Sequence, residues 1–171
     1  MRINITKLLQ KRKLTNHLLL LSKETGHDID KVMYNYSKFI SIALTEWFKR
    51  TVKTQKIGRM PMKSIYKPLS PKYKKRKVPV NRNKFWVNSG WLINQLHYWK
   101  YKDWFVGYPK YIKYNGKKVK AGDLFMFLEK GTKNGVPARP LMKYAIRWIN
   151  QNLSYLTKKF IKLYFKKVIK I

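Results

Sequence analysis

Cysteine is absent from the 171-residue chain, which removes disulfides, thiolate nucleophiles and thiolate metal ligands, and permits a reducing compartment. Carboxylates are nearly as scarce, with 7 Asp and Glu against 40 Lys and Arg. None lies between Glu46 and Asp103, and none follows Glu129. Enzymes need titratable groups that converge, and these few carboxylates, with His17, His27 and His97, show no hydrolytic or metal-ligand spacing. The histidines are far apart in sequence and read as ordinary surface or half-buried residues. No phosphate-binding glycine loop, zinc pattern or nucleophile elbow occurs, so a non-enzyme with no cofactor or metal is expected. Long apolar runs are missing as well: the longest, residues 18–21, is a fragment of a membrane span. The opening Met-Arg-Ile-Asn-Ile lacks the apolar core and cleavage site of a signal peptide, so synthesis and use in cytoplasm, or in a particle assembled there, is expected.

What is abundant is positive charge. The formal net charge is +33, so isolated copies repel one another and attract any polyanion nearby. Nucleic acid, an acidic protein surface and an anionic membrane all fit that description. Hydrophobic residues at 44% and aromatics at 15% still argue for a folded core, in contrast to a disordered polycation. The length suits a single domain over residues 1–171.

Residues 1–27 read as a helical lead-in or arm, with Thr6 a candidate cap and a leucine-rich helix ending near Gly26. Asp28 stands where an N-cap belongs, and Ile29, Val32, Tyr36, Phe39, Ile40, Leu44, Trp47 and Phe48 follow a helical period. Its apolar stripe is wide, which predicts packing across a sheet or a second helix. From 54 to 83 the periodicity lapses into a basic, proline-containing loop, within which residues 70–77 read as a short helical turn. That turn carries Lys72, Lys74, Lys75, Arg76 and Lys77 towards a polyanion. Aromatic runs at 97–101 and 104–108 predict an antiparallel hairpin, and Asn115-Gly116 predicts another tight turn. Together they suggest an antiparallel sheet of three or four strands.

The most informative stretch runs from Asp123 to Leu141. Leu124, Phe125, Phe127 and Leu128 have helical spacing, and Gly131 can close the helix in a left-handed conformation. Pro137 and Pro140 then stiffen a connector around Ala138 and Arg139, with one exposed arginine expected just before a long basic C-terminal helix, residues 141–171. The order Glu129-Lys-Gly131-Thr132, spacer, Pro137-Ala138-Arg139-Pro140-Leu141 resembles the C-terminal signature of the tailed-bacteriophage tail-completion, minor-tail and virion-morphogenesis proteins. Pro68-Leu69-Ser70-Pro71-Lys72-Tyr73, Asn88-Ser89-Gly90-Trp91-Leu92 and Phe105-Val106-Gly107 are similar to further segments of that family in the same order. Ser89 stands where the family has threonine, and Asn88 where it has an acid.

The resemblance implies an α+β subunit, with a long helix of the N-terminal half against a small antiparallel sheet and a long C-terminal helix. It implies a structural virion protein at the head–tail junction (neck, connector or tail-completion position), closed into a six- or twelve-fold homo-oligomeric ring around the DNA channel. Portal, adjacent connector and tail proteins would be its neighbours. The subunit interface is expected at Ser89, Gly90, Glu129, Gly131, Thr132, Pro137, Ala138, Arg139 and Pro140, with Glu129 paired, within the subunit or across to a neighbour, to a basic residue such as Arg139. Lys158, Lys159, Lys162, Lys166 and Lys167 on the last helix join the α-helical turn at 70–77 as polyanion-facing residues, meeting DNA by backbone charge only or an acidic ring. Two other readings compete. One is a non-specific nucleic-acid-binding protein that stacks bases on Trp86, Trp91, Trp99 and Trp104; the other lays the basic C-terminal helix on an anionic membrane surface.

Overall fold

The structure is a computed structural model that describes residues 2–10, 14–76, 79–81, 83–84, 94–107, 112–114, 117–119, 121–131 and 137–165. The fold is α+β. Its axis is α3 (Ile29–Thr54), 26 residues long, or about 39 Å at the helical rise. Asp28 caps it, its carboxylate accepting from the Asp30 amide. Val32, Tyr36, Ile40, Leu44, Phe48 and Val52 recur every fourth position and are all buried.

A three-stranded antiparallel sheet packs on one side of α3. The hairpin expected from the aromatic runs is there, as β4 (His97–Lys100) against β5 (Trp104–Gly107). The third strand is a correction to the sequence reading: it is β1 (Arg2–Asn4), which runs along the other edge of β5 with Ile3 opposite Val106. Residues 112–114 (β6) and 117–119 (β7) pair with each other as a separate two-stranded ladder. The alternation of strand side chains puts Ile3 and Val106 into the main core. Phe105 points to the other face, where Trp99 stacks on it at 5.8 Å and the Arg2 guanidinium lies 4.3 Å from its ring centre.

Asn4, not Thr6, caps the first helix α1 (Ile5–Gln10), through a bond from the Lys7 amide to its Oδ1. Its Nδ2 donates to Asp103 at 2.7 Å, and Thr6 is spent on the Trp104 amide. The lead-in is therefore stitched to the β4–β5 turn. Helix α2 (Leu14–Glu24) ends before Gly26, as expected, and both α1 and α2 lie against α3.

The described residues of the stretch 54–83 are more ordered than its composition suggests. A short hairpin, β2 (Lys56–Ile57) and β3 (Met60–Pro61), leads to a single helical turn α4 (Met62–Ile65) and then to α5 (Pro71–Arg76). Ile57, Met62, Tyr66 and Leu69 enter the core and anchor it. Helix α6 (Ala121–Lys130) precedes the proline connector, and α7 (Met142–Tyr164) closes the described chain. Helix α7 runs antiparallel to α3: Trp47 stacks on Trp148 near one end, and His27 meets Tyr164 and Phe165 at the other. Its apolar stripe, Ala145, Ile149, Leu153, Leu156 and Phe160, is buried there, so core packing accounts for it. No helix among the described residues is long and apolar enough to cross a membrane.

Candidate functional site

The signature residues meet at the junction of α6 and α7. Helix α6 stops at Lys130 because Gly131 takes φ +77°, and its amide closes back on the Phe127 carbonyl. That left-handed turn strains any residue with a Cβ. On the connector, the Arg139 amide donates to the Leu128 carbonyl at 2.8 Å, tying connector to helix.

Helix α7 begins at an awkward place. Leu141 is its N-cap and has no side-chain oxygen to offer the first amides. Glu129 supplies one from twelve residues upstream: its Oε1 accepts from the Leu141 amide at 2.7 Å and the Met142 amide at 2.8 Å. The carboxylate also sits at the positive end of the helix dipole. The sequence reading paired Glu129 with Arg139. The structure corrects this: Glu129 does fix the angle between the two helices, but its bonds go to the backbone that starts α7.

The junction is closed to solvent. Glu129 and Arg139 are 6% and 4% exposed, so the expected exposed arginine is instead enclosed within the fold. The Arg139 Nη1 lies 3.4 Å from the Pro137 carbonyl, and the Tyr66 hydroxyl donates to the Pro140 carbonyl at 3.1 Å. Burial pushes the Glu129 carboxyl above its usual range, and the two backbone amides pull back in part. The Tyr66 phenol is pushed well up, first by burial and then by Glu129 and Tyr144, against a smaller opposing effect of Arg139. With its oxygen committed to two amides, Glu129 is arranged for structure.

Of the other expected interface residues, Ala138 is exposed, while Gly131, Pro137 and Pro140 are half-buried. Ser89, Gly90 and Thr132 lie outside the described residues. Among the polyanion candidates, Lys75, Lys158, Lys159 and Lys162 are exposed and Lys74 is half-buried. Lys72 and Arg76 belong to α5, and the description covers only their backbone. Lys77, Lys166 and Lys167 fall outside the described residues. Trp104 is buried in the main core and cannot stack on a base; Trp86 and Trp91 lie outside the described residues. Among the described residues there is no group of three His, Cys, Asp or Glu placed to hold a metal ion.

Sequence reasoning missed Tyr66 and the capping role of Glu129. Tyr66 sits between prolines in a basic stretch with no period, where an aromatic carries no positional signal. A cap supplied from another helix leaves no local pattern of the kind a capping box does. Comparison with protein-family models, curated proteins and solved structures finds no match for this chain.

Proposed function

We propose that the protein is a structural virion component that closes into a ring at the head–tail junction of a tailed bacteriophage, around the DNA channel. The observation that carries the reading is the interlocking of the signature. Glu129, Gly131, Arg139, Pro140 and Leu141, which resemble the family motif in sequence, each contribute to one junction: Glu129 caps α7 at Leu141, Gly131 ends α6, the Arg139 amide ties the connector to Leu128, and the Pro140 carbonyl takes the Tyr66 hydroxyl. A motif whose members build one structural device is harder to assemble by chance than a string of unrelated matches. The junction also leaves the backbone around Ala138 at the surface on a stiff support, which suits repeated edge-to-edge contact between identical copies.

Such a ring needs a heterologous interface whose rotation closes on itself, and the net charge of +33 must be neutralised by what the ring encloses or sits on. The test is the mass of the assembled species by native mass spectrometry, alone and with the purified portal, alongside protein analysis of purified particles. A closed six- or twelve-fold species and presence in particles are expected. A protein that stays monomeric with portal present and is missing from particles overturns the reading.

A further inference from the structure

The charge is not spread evenly along α3. At its N-terminal end the exposed carboxylates Glu24, Asp28 and Asp30 offset the exposed Lys23 and Lys31, beside the C-terminal end of α7 with its exposed Lys162. At its other end, some 26 residues away, Arg50, Lys53, Lys56, Arg59, Lys63 and Lys67 are all exposed. Glu46, one turn before Arg50, is the carboxylate at the edge of this pole, and the sequence holds no other until Asp103.

Three contacts bring further cations to the same place. The Trp47–Trp148 stack lays the N-terminal part of α7, with exposed Lys143 and Arg147, alongside the end of α3. The Met62 amide bonds the Gln55 carbonyl at 2.8 Å and closes the base of the β2–β3 hairpin, so the hairpin continues directly from α3. The Tyr66–Pro140 bond fastens the segment after α4 to the start of α7. At the hairpin tip Gly58 takes φ +62°, and its position would place a Cβ in open space. The glycine therefore serves the turn and not a packing need, and it presents Arg59 and the 52% exposed Met60 outward.

Helix-dipole compensation explains basic residues at the end of α3, such as Arg50 and Lys53. It does not explain Lys56, Arg59, Lys63 and Lys67, which lie beyond it and repel one another. An acidic protein partner would want an apolar centre to bury, and the segment from Arg50 to Lys67 offers Met60 as its one large apolar side chain exposed at the surface. Phosphate backbone asks only for charge.

The geometry points to this pole, led by the β2–β3 hairpin, as the surface that meets the phosphate backbone of double-stranded DNA without reading sequence. It rests on the phage reading only for the choice of DNA as the polyanion. The test uses the full chain and a 5′-labelled random-sequence duplex of about 20 base pairs, with affinity followed across a salt series. Two triple variants carry the same charge change: Lys56→Glu/Arg59→Glu/Lys63→Glu at the pole, and Lys23→Glu/Lys31→Glu/Lys38→Glu at the other end. The pole variant should lose at least about tenfold in affinity and flatten the salt slope by about 2.7, near 0.9 for each lost phosphate contact. The other variant should stay within about threefold of the parent, because its lysines touch no phosphate. Equal losses in both variants, no duplex binding by the parent, or tighter binding of poly-glutamate than of the duplex at matched charge would each overturn the assignment. Circular dichroism confirms that both variants fold, and native mass spectrometry of the same samples reports ring closure separately, so failure of the DNA surface and failure of the ring are told apart.

Discussion

The Tyr36 hydroxyl lies 2.6 Å from Thr157 Oγ1, joining α3 to α7 inside the core. Thr157 has one proton, and it goes to the Leu153 carbonyl at 2.7 Å, so Tyr36 is the donor of the cross-helix bond. Tyr36→Phe keeps the ring and leaves the Thr157 proton satisfied. It should cost about 1 kcal/mol, read as a lower urea midpoint at unchanged slope.

Burial raises the phenol of Tyr36, and of Tyr66 still more, above the ordinary value of 10.0. The unfolded chain therefore loses these protons first. Stability is full below a pH of 10 and declines as the pH climbs through the folded-state values. Combining Tyr36→Phe with Tyr66→Phe should flatten that alkaline decline in denaturant titrations taken from pH about 9 to about 11.5.

Glu129 separates acceptor from charge. Glu129→Ala strands the buried Leu141 and Met142 amides and should cost roughly 1–3 kcal/mol. Glu129→Gln keeps an oxygen acceptor and should retain most of that stability. Because burial holds the carboxyl above the usual carboxylate range, its contribution is fullest where it is neutral in both states and is lost as pH rises through the folded value. The glutamine variant removes that slope, which acid-range denaturation curves would reveal. A glutamine variant as unstable as alanine would refute the capping role.

Gly131→Ala tests the stop of α6. Its φ of +77° should make alanine cost about 1 kcal/mol, measured by chemical denaturation of the purified variant.

Ala138 tests the ring. It is exposed on the connector, so Ala138→Trp should leave the thermal midpoint within about 2 °C while preventing closure of the proposed ring, seen as a monomer mass where the parent should give a ring. Intact rings from this variant would move the interface off the connector.

The parts of the fold that were legible in the sequence are those with a repeating signal. Asp28 followed by a stripe from Ile29 to Phe48 defines α3, and Gly131 after Leu124–Leu128 defines the end of α6. The β4–β5 hairpin shows in its paired aromatics. Strand β1 did not show because three residues with a single buried one, Ile3, cannot display a period of two. Asn4 and Thr6 are both good N-cap residues, and only the sheet register decides between them. The burial of Arg139 was illegible for a related reason: prolines set the local backbone, but what covers a side chain comes from elsewhere in the chain, and the connector is held by Tyr66, some seventy positions earlier, through the Pro140 carbonyl. The charge pole likewise depends on α7 folding back antiparallel to α3, which brings Lys143 and Arg147 to cations some ninety positions earlier.

The Asn4–Asp103 bond spans 99 positions, and β1 has its ladder with β5. During translation β1 must wait, unpaired, until the hairpin beyond it has left the ribosome. Completing the sheet is then a late, long-range event in folding, slow by the rule that distant pairings delay closure. The lysine-rich segments from Arg50 to Lys84 are synthesised before β5, and so before the sheet is whole.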